Sequence, residues 1–191
     1  VHVVIDLSCM QIRYAPSVHR VGTDGKNGFD FDQMDRLYFP TSGWSSRVGY
    51  SYSPAENYSK LIANFVLAHS FGDYVINSKL SYQGSPSGEL PAYDAGTLGG
   101  FINLSGYTAN QLVGDNITYG NVRVEKIIGH MPMGLRGDMR LGVAVEAGKV
   151  GTPYTATELT GWIKSGAVYI GGETPLGPVY LGYGRSDQGA S

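Results

Sequence analysis

Apolar and polar residues alternate in short segments along most of the chain. In 139–148, the clearest segment, five apolar side chains alternate with Arg140, Glu146 and three small residues. Such alternation predicts a β-strand with one apolar and one polar face. Because no segment has helical spacing over several turns, we predict an all-β, antiparallel protein. About nine strands are expected, at 1–14, 34–39, 44–53, 58–70, 74–83, 115–128, 139–148, 162–171 and 179–183.

Changes of phase and long polar stretches complete this pattern. The alternation slips by one residue within 1–14, which predicts a β-bulge or two shorter strands, and a second slip is expected near Gly120. Residues 16–32 are polar and glycine-rich, which predicts a long loop.

The connection at 84–114 is too long to join two neighbouring strands by a simple turn. It also carries Phe101, Ile102, Leu104 and Tyr107 between glycines, so it differs from a solvated or disordered loop. We therefore expect the stretch 99–107 to fold back and dock onto the sheet.

Composition limits the function classes. The 191 residues include 28 Gly and 14 Tyr but only 16% charged residues, and the formal net charge is -2. Without a basic cluster, no nucleic-acid partner is expected. No run approaches the 18 apolar residues of a membrane-spanning helix, and the lone Cys9 cannot form an internal disulfide. We expect no catalytic residue, metal or cofactor, because G-x-S-x-G is absent and four histidines are scattered, at His2, His19, His69 and His130.

Two architectures fit the alternation. In a soluble barrel or sandwich the apolar face is the core and could hold an apolar ligand, whereas in an outer-membrane barrel the apolar face meets lipid and the polar face lines the lumen. Connections of alternating length favour the membrane barrel, as do aromatic residues near strand ends. These aromatic residues are Trp44, Tyr50, Tyr52, Tyr74, Tyr82, Trp162, Tyr180 and Tyr183.

Four stretches together resemble the C-terminal barrel of the bacterial surface-antigen superfamily. They are 173–184 (ETPLGPVYLGYG), 141–148 (LGVAVEAG), 37–44 (LYFPTSGW) and 99–107 (GGFINLSGY). The superfamily includes barrel-assembly proteins and two-partner-secretion translocators. The form of 99–107 is most similar to the translocator barrels of patatin-like phospholipase autotransporters, which belong to type V secretion.

The resemblance implies a transmembrane barrel in the bacterial outer membrane, of about sixteen strands when complete. It implies that 1–191 is the C-terminal half of such a barrel without its final strand, and that 84–114 is a loop folded into the lumen. Such a barrel secretes or tethers an N-terminal passenger, such as a patatin-like lipase carried on a separate domain. The implied partners are outer-membrane lipids, the passenger and the barrel-assembly machinery, with a homodimer as a further option.

The resemblance also implies the site. A loop latch is expected at Gly100, Phe101, Leu104, Ser105, Gly106 and Tyr107. Its expected lumen partners are Gly142, Ala144, Glu146, Gly148, Arg123 and Arg140. The small Gly142 and Gly148 are expected to leave room for the latch, and Tyr107 to anchor it by packing.

One departure from the family pattern concerns the charge at the latch. Ser105 stands where relatives have an arginine that pairs with a lumen acid, and Glu146 occupies that acidic position. An unpaired buried carboxylate is costly. We therefore expect Glu146 to find another donor, for which Arg123 and Arg140 are candidates, or to stay hydrated.

Overall fold

The computed structural model describes residues 2–5, 19–23, 26–53, 57–130, 137–154, 161–174 and 177–188, with side chains from residue 28 onward. Twelve strands and one 3-10 turn (Ala92–Asp94) form this part of the chain. In the described residues, no helix is long and apolar enough to cross a membrane. The strands are β1 (His2–Ile5), β2 (His19–Thr23), β3 (Lys26–Asp32), β4 (Gly43–Ser53), β5 (Tyr58–Phe71), β6 (Tyr74–Gly84), β7 (Gly96–Leu98), β8 (Leu112–Gly114), β9 (Ile117–His130), β10 (Asp138–Val150), β11 (Ile163–Thr174) and β12 (Gly177–Ser186).

Ten of these strands form one antiparallel sheet in the order β1-β12-β11-β10-β9-β6-β5-β4-β3-β2. Apart from β1, each strand pairs with the next main-sheet strand in sequence, so the connections alternate between the two ends of the sheet. The connection 33–42, between β3 and β4, therefore lies at the opposite end from the connection between β6 and β9. The small hairpin β7–β8 is built inside that second, longer connection.

The apolar face of the sheet points outward. On β10, the side chains of Val143 and Val145 are 51% and 67% exposed, whereas the alternating Arg140 and Glu146 are 0% and 1% exposed. The same alternation continues on β6, β9 and β11. The inward-facing side of the sheet is thus polar and charged. A soluble barrel that encloses an apolar ligand has the opposite arrangement, with its apolar side chains inside.

The sheet is strongly curled. Phe39, in the connection 33–42, is buried against Tyr180 of β12, and Arg36 forms an ion pair with Asp138 of β10 at 3.1 Å. Four strands (β4, β5, β6 and β9) separate β3 from β10 in the sheet order. Such contacts require the sheet to turn back on itself around a common interior.

Three predictions about strands were wrong. Residues 34–39 form no strand. The connection that contains them turns inward, so that the apolar Phe39 is buried in the interior and does not lie on the outer face of a strand. Two strands, β2 and β3, lie in the predicted loop 16–32, where Phe29 and Phe31 alternate with aspartates. The register is continuous past Gly120, and the irregularity occurs instead opposite Met139 and Arg140. The bulge predicted within 1–14 lies mostly outside the described residues.

Candidate functional site: the loop latch and the inner face

Backbone conformation shapes the loop latch, defined as Gly100, Phe101, Leu104, Ser105, Gly106 and Tyr107. Leu104 has a φ of 82°, which non-glycine residues rarely adopt. This conformation directs two successive amides to one carboxylate oxygen: the N–H groups of Leu104 and Ser105 donate to Glu146 Oε2 at 3.1 and 2.5 Å. Successive backbone amides turned to one side form an anion-binding concavity.

Glu146 is held entirely by neutral donors among the described residues. Besides the two amides, its carboxylate accepts hydrogen bonds from Ser165 Oγ at 2.7 Å and Ser105 Oγ at 3.3 Å. The expectation of another donor is met by the loop itself, but Arg123 and Arg140 as candidates were wrong. A backbone amide can donate whatever side chain it carries. The Glu146 carboxylate therefore has hydrogen-bond donors although position 105 is a serine and not an arginine.

Both arginines turn instead to Glu125 on β9. Arg140 Nη1 donates to Glu125 Oε2 at 2.9 Å, and Arg123 Nη1 lies 3.7 Å from Oε1. The hydroxyl of Tyr169 donates to the same Oε1 at 2.7 Å. Glu125 and Arg140 are both 0% exposed, so this pair depends on its added hydrogen bonds to offset its desolvation.

Gly142 makes room for Tyr169 and not for the loop latch, which corrects the expectation. A Cβ at Gly142 would lie 2.3 Å from Tyr169 Cζ. Gly142 is directly opposite Tyr169 on one side and Glu125 on the other. The ring therefore crosses β10 over the glycine and reaches the carboxylate on the far strand. Ala144, on the same face, is buried in the adjoining cluster with Ala167 and Tyr169.

Other glycines give space to the latch directly. A Cβ at Gly148 would lie 2.8 Å from Leu98 and 3.2 Å from Leu104. A Cβ at Gly184 of β12 would lie 2.4 Å from Ser105 Cβ. The latch thus approaches the walls of β10 and β12 more closely than any larger residue would allow.

Tyr107 belongs to a buried apolar cluster that joins the loop to the wall. The side chain is 6% exposed. The cluster comprises Leu98, Leu104, Tyr107, Leu112, Ile117, Tyr119, Val150 and Ile163. Because four of its members come from the loop and its hairpin and four from the barrel strands, removing the ring weakens packing across that boundary.

A line of aromatic rings connects the loop latch to the connection 33–42. The ring centroids of Phe101 and Tyr169 are 5.9 Å apart, and those of Tyr169 and Tyr180 are 5.6 Å apart. The centroids of Tyr180 and Phe39 are 5.2 Å apart. Arg140 Nη2 also donates to the Phe39 carbonyl at 3.1 Å. Tyr180, predicted among the interfacial aromatics, instead faces inward.

Sequence reasoning missed Phe39, Tyr169 and Glu125 as site residues. Tyr169 could have been found from Gly142, because a glycine in a strand often leaves space for a large side chain on the neighbouring strand. The burial of Phe39 had no local signal, since it depends on how far the sheet curls.

The inner-face cations mostly have acidic partners. Lys60 Nζ lies 2.5 Å from Asp94 Oδ1, which ties the 3-10 turn of the loop to β5. Arg47 pairs with Asp30 at 2.8 Å. Lys79 differs, since its Nζ is 3.5 Å from the neutral Asn103 Oδ1 and 5.6 Å from the centre of the Tyr119 ring. In the described residues, no group of three metal-ligating side chains is found.

The comparison with solved structures identifies the fold. The chain is similar to BamA from Haemophilus ducreyi, in a crystal structure lacking POTRA domains 1–3, with a TM-score of 0.69 and 17% sequence identity. The match covers 87% of this chain and 39% of that chain. The fold is that of a BamA-like barrel.

That likeness confirms the predicted fold, an all-β antiparallel barrel of which this chain supplies part. No protein-family model matches the chain. No curated protein matches it either. At 17% identity the similarity to BamA concerns the fold.

Proposed function

We propose that this chain is part of a translocator or anchor barrel in the bacterial outer membrane. The observation that carries the proposal is the orientation of the sheet, with valine and leucine side chains outward and Arg140, Glu125 and Glu146 buried inside. Exposed apolar side chains in such a continuous band cost little in lipid but much in water.

Aromatic residues at both ends of the wall support this assignment. Trp44, near the start of β4, stacks on Phe31 with ring centroids 4.4 Å apart. Trp162 precedes β11 at the opposite end and is half exposed. Tryptophan prefers the interface between headgroups and hydrocarbon, so these two residues mark the two boundaries of the bilayer.

The passenger belongs to the same proposal. On the resemblance of 99–107 to patatin-like autotransporters, the barrel secretes or tethers an N-terminal domain such as a patatin-like lipase. The chain spans about two fifths of the BamA chain it matches (39%), in keeping with one half of a larger barrel. Membrane lipids, the passenger and the barrel-assembly machinery are then its partners, and a homodimer is a further arrangement to test.

Spin labels on β10 test the membrane assignment directly. In the full-length protein with Cys9→Ser, labels are placed at Val143→Cys, which points outward, and separately at Lys149→Cys, near the end of the same face. Reconstituted in vesicles, the label at 143 should be accessible to oxygen and shielded from a water-soluble nickel complex, with the reverse at 149. Equal accessibility of both labels to the nickel complex, or a protein that is monodisperse without detergent, would contradict the proposal.

A further inference from the structure

Four polar side chains occupy neighbouring register positions on the inner face of β6 and β9. Asn77 is directly opposite Arg123, and Lys79 is directly opposite Asn121. The two cations are therefore diagonal neighbours on one face, where long side chains reach one another. Lys79 is repelled by the charge of Arg123 across the strand pair and attracted by that of Glu146.

Several hydrogen-bond donors in this group have no partner. Asn77 is 1% exposed, and its amide nitrogen bonds to nothing in the described residues. Arg123 Nε is likewise buried and unpartnered. The only described acceptor for Lys79 is the amide oxygen of Asn103, at 3.5 Å. Buried donors without partners are costly, so native interiors normally fill such a space with an acceptor.

The charges of this part of the interior favour a negative acceptor. Three cations, Lys79, Arg123 and Arg140, accompany two carboxylates, Glu125 and Glu146. Glu125 is already shared by both arginines, and Glu146 is already held by two amides and two hydroxyls. The five groups together carry one excess positive charge, which is shared among Lys79 and the two arginines because the single charge of Glu125 faces two guanidinium groups.

We propose that Asn77, Lys79 and Arg123 bind one small monovalent anion, of the size of chloride, inside the barrel wall. The ammonium group, the guanidinium Nε–H and the amide N–H₂ donate to it, and charge-assisted bonds of this kind are the strong ones. The unpartnered oxygens of Asn77 and Asn121 are acceptors for ordered water around the ion. The bound ion removes the repulsion between Lys79 and Arg123, so it stabilises the wall directly behind the loop latch.

Unfolding in different salts at one ionic strength tests the site. The full-length protein in detergent is unfolded thermally in sodium chloride, bromide or gluconate, the last being too large to enter. Chloride or bromide at several times the dissociation constant should raise the midpoint by about 2 to 4 °C over gluconate. The same midpoint in all three salts would overturn the proposal and assign the space to water alone.

Two variants and one control locate the effect. Lys79→Met should lose the halide-dependent shift, whereas Lys126→Met, which removes an exposed lysine on the outward face, should keep it. Asn77→Asp places a carboxylate opposite Arg123 and needs no ion, so its midpoint in gluconate should match or exceed that of the wild type in chloride. A halide shift that persists in Asn77→Asp contradicts the proposal even if Lys79→Met fails to fold.

Crystals grown in bromide give a direct view. An anomalous peak between Lys79 Nζ, Arg123 Nε and Asn77 Nδ2 is the expected result. Anomalous peaks only on the outer surface of the protein, with water between these three groups, would refute the site while leaving the membrane assignment intact.

Discussion

Packing, more than polar bonding of the Ser105 side chain, should hold the loop latch in place. Tyr107→Ala removes a 6% exposed ring from the cluster that joins the loop to the wall. Truncation of a buried aromatic side chain costs about 3 to 5 kcal/mol, and the boundary position of this ring places the cost near the lower end, at about 3 kcal/mol.

Ser105→Ala should cost less because the bonds that matter most come from the backbone. The Ser105 N–H, 2.5 Å from Glu146, is retained in alanine. The hydroxyl contributes a long bond to Glu146 at 3.3 Å and accepts the Ile102 N–H at 3.0 Å. Loss of these two bonds costs about 1 to 2 kcal/mol.

Thermal unfolding followed by heat-modifiable gel mobility measures this difference. A gap of about 1 to 2 kcal/mol corresponds to about 2 to 8 °C between the two variants for a protein of this size. Tyr107→Phe keeps the ring and serves as the control, with a midpoint close to that of the wild type. If Ser105→Ala unfolds at the same temperature as Tyr107→Ala or below it, the latch depends on the side-chain hydrogen bonds and the packing argument fails.

Three further predictions concern the carboxylates and a glycine. Glu146→Ala leaves two buried amides without an acceptor and should destabilise by about 3 to 5 kcal/mol, while Glu146→Gln keeps one oxygen acceptor and should cost about 1 to 2 kcal/mol in urea unfolding. Gly142→Ala places a Cβ 2.3 Å from Tyr169 and should cost about 1 to 3 kcal/mol, with altered Tyr169 fluorescence or NMR signals; an unchanged midpoint would contradict the close fit. In the connection 33–42, burial raises the pKa of Asp35, but hydrogen bonds from the Thr41 hydroxyl and the amides of Ser42 and Thr41 outweigh it and lower the pKa below its usual value. The stability from Asp35 is therefore present above about pH 4 and lost as the pH falls through the lowered pKa, so Asp35→Asn should flatten that part of the acid-unfolding curve.

The sequence was sufficient to predict most of the strands and the faces of their side chains, because a strand repeats every two residues regardless of its surroundings. Alternation on 139–148 thus predicted which side chains of β10 share a face. It could not predict which face meets solvent, since the pattern is the same for a soluble and a membrane barrel. That choice became clear only from the burial of Arg140 and Glu146 beside exposed valines.

The partners of the charged groups were harder to predict for a physical reason. Pairing arguments from sequence consider side chains, whereas Glu146 is held partly by backbone amides whose direction depends on the positive φ of Leu104. Both arginines turn to Glu125, which lies on the same strand as Arg123 and on the strand adjacent to that of Arg140, with which it pairs at 2.9 Å. A positive φ at a leucine is rare, and no residue pattern in 99–107 predicts it.

The contact between Arg140 and Phe39 has a consequence for the order of folding. The two residues are separated by 101 positions, yet the buried guanidinium donates to the Phe39 carbonyl. The hairpin β3–β4 forms from local contacts, but its connecting segment cannot be buried until β10 and β12 have been added to the sheet. Contacts between residues this distant in sequence form late, because closing the long loop between them costs entropy before the contacts can stabilise the chain. Refolding into vesicles should therefore show strand formation first, followed by a slower phase that buries Phe39 and Arg140 together.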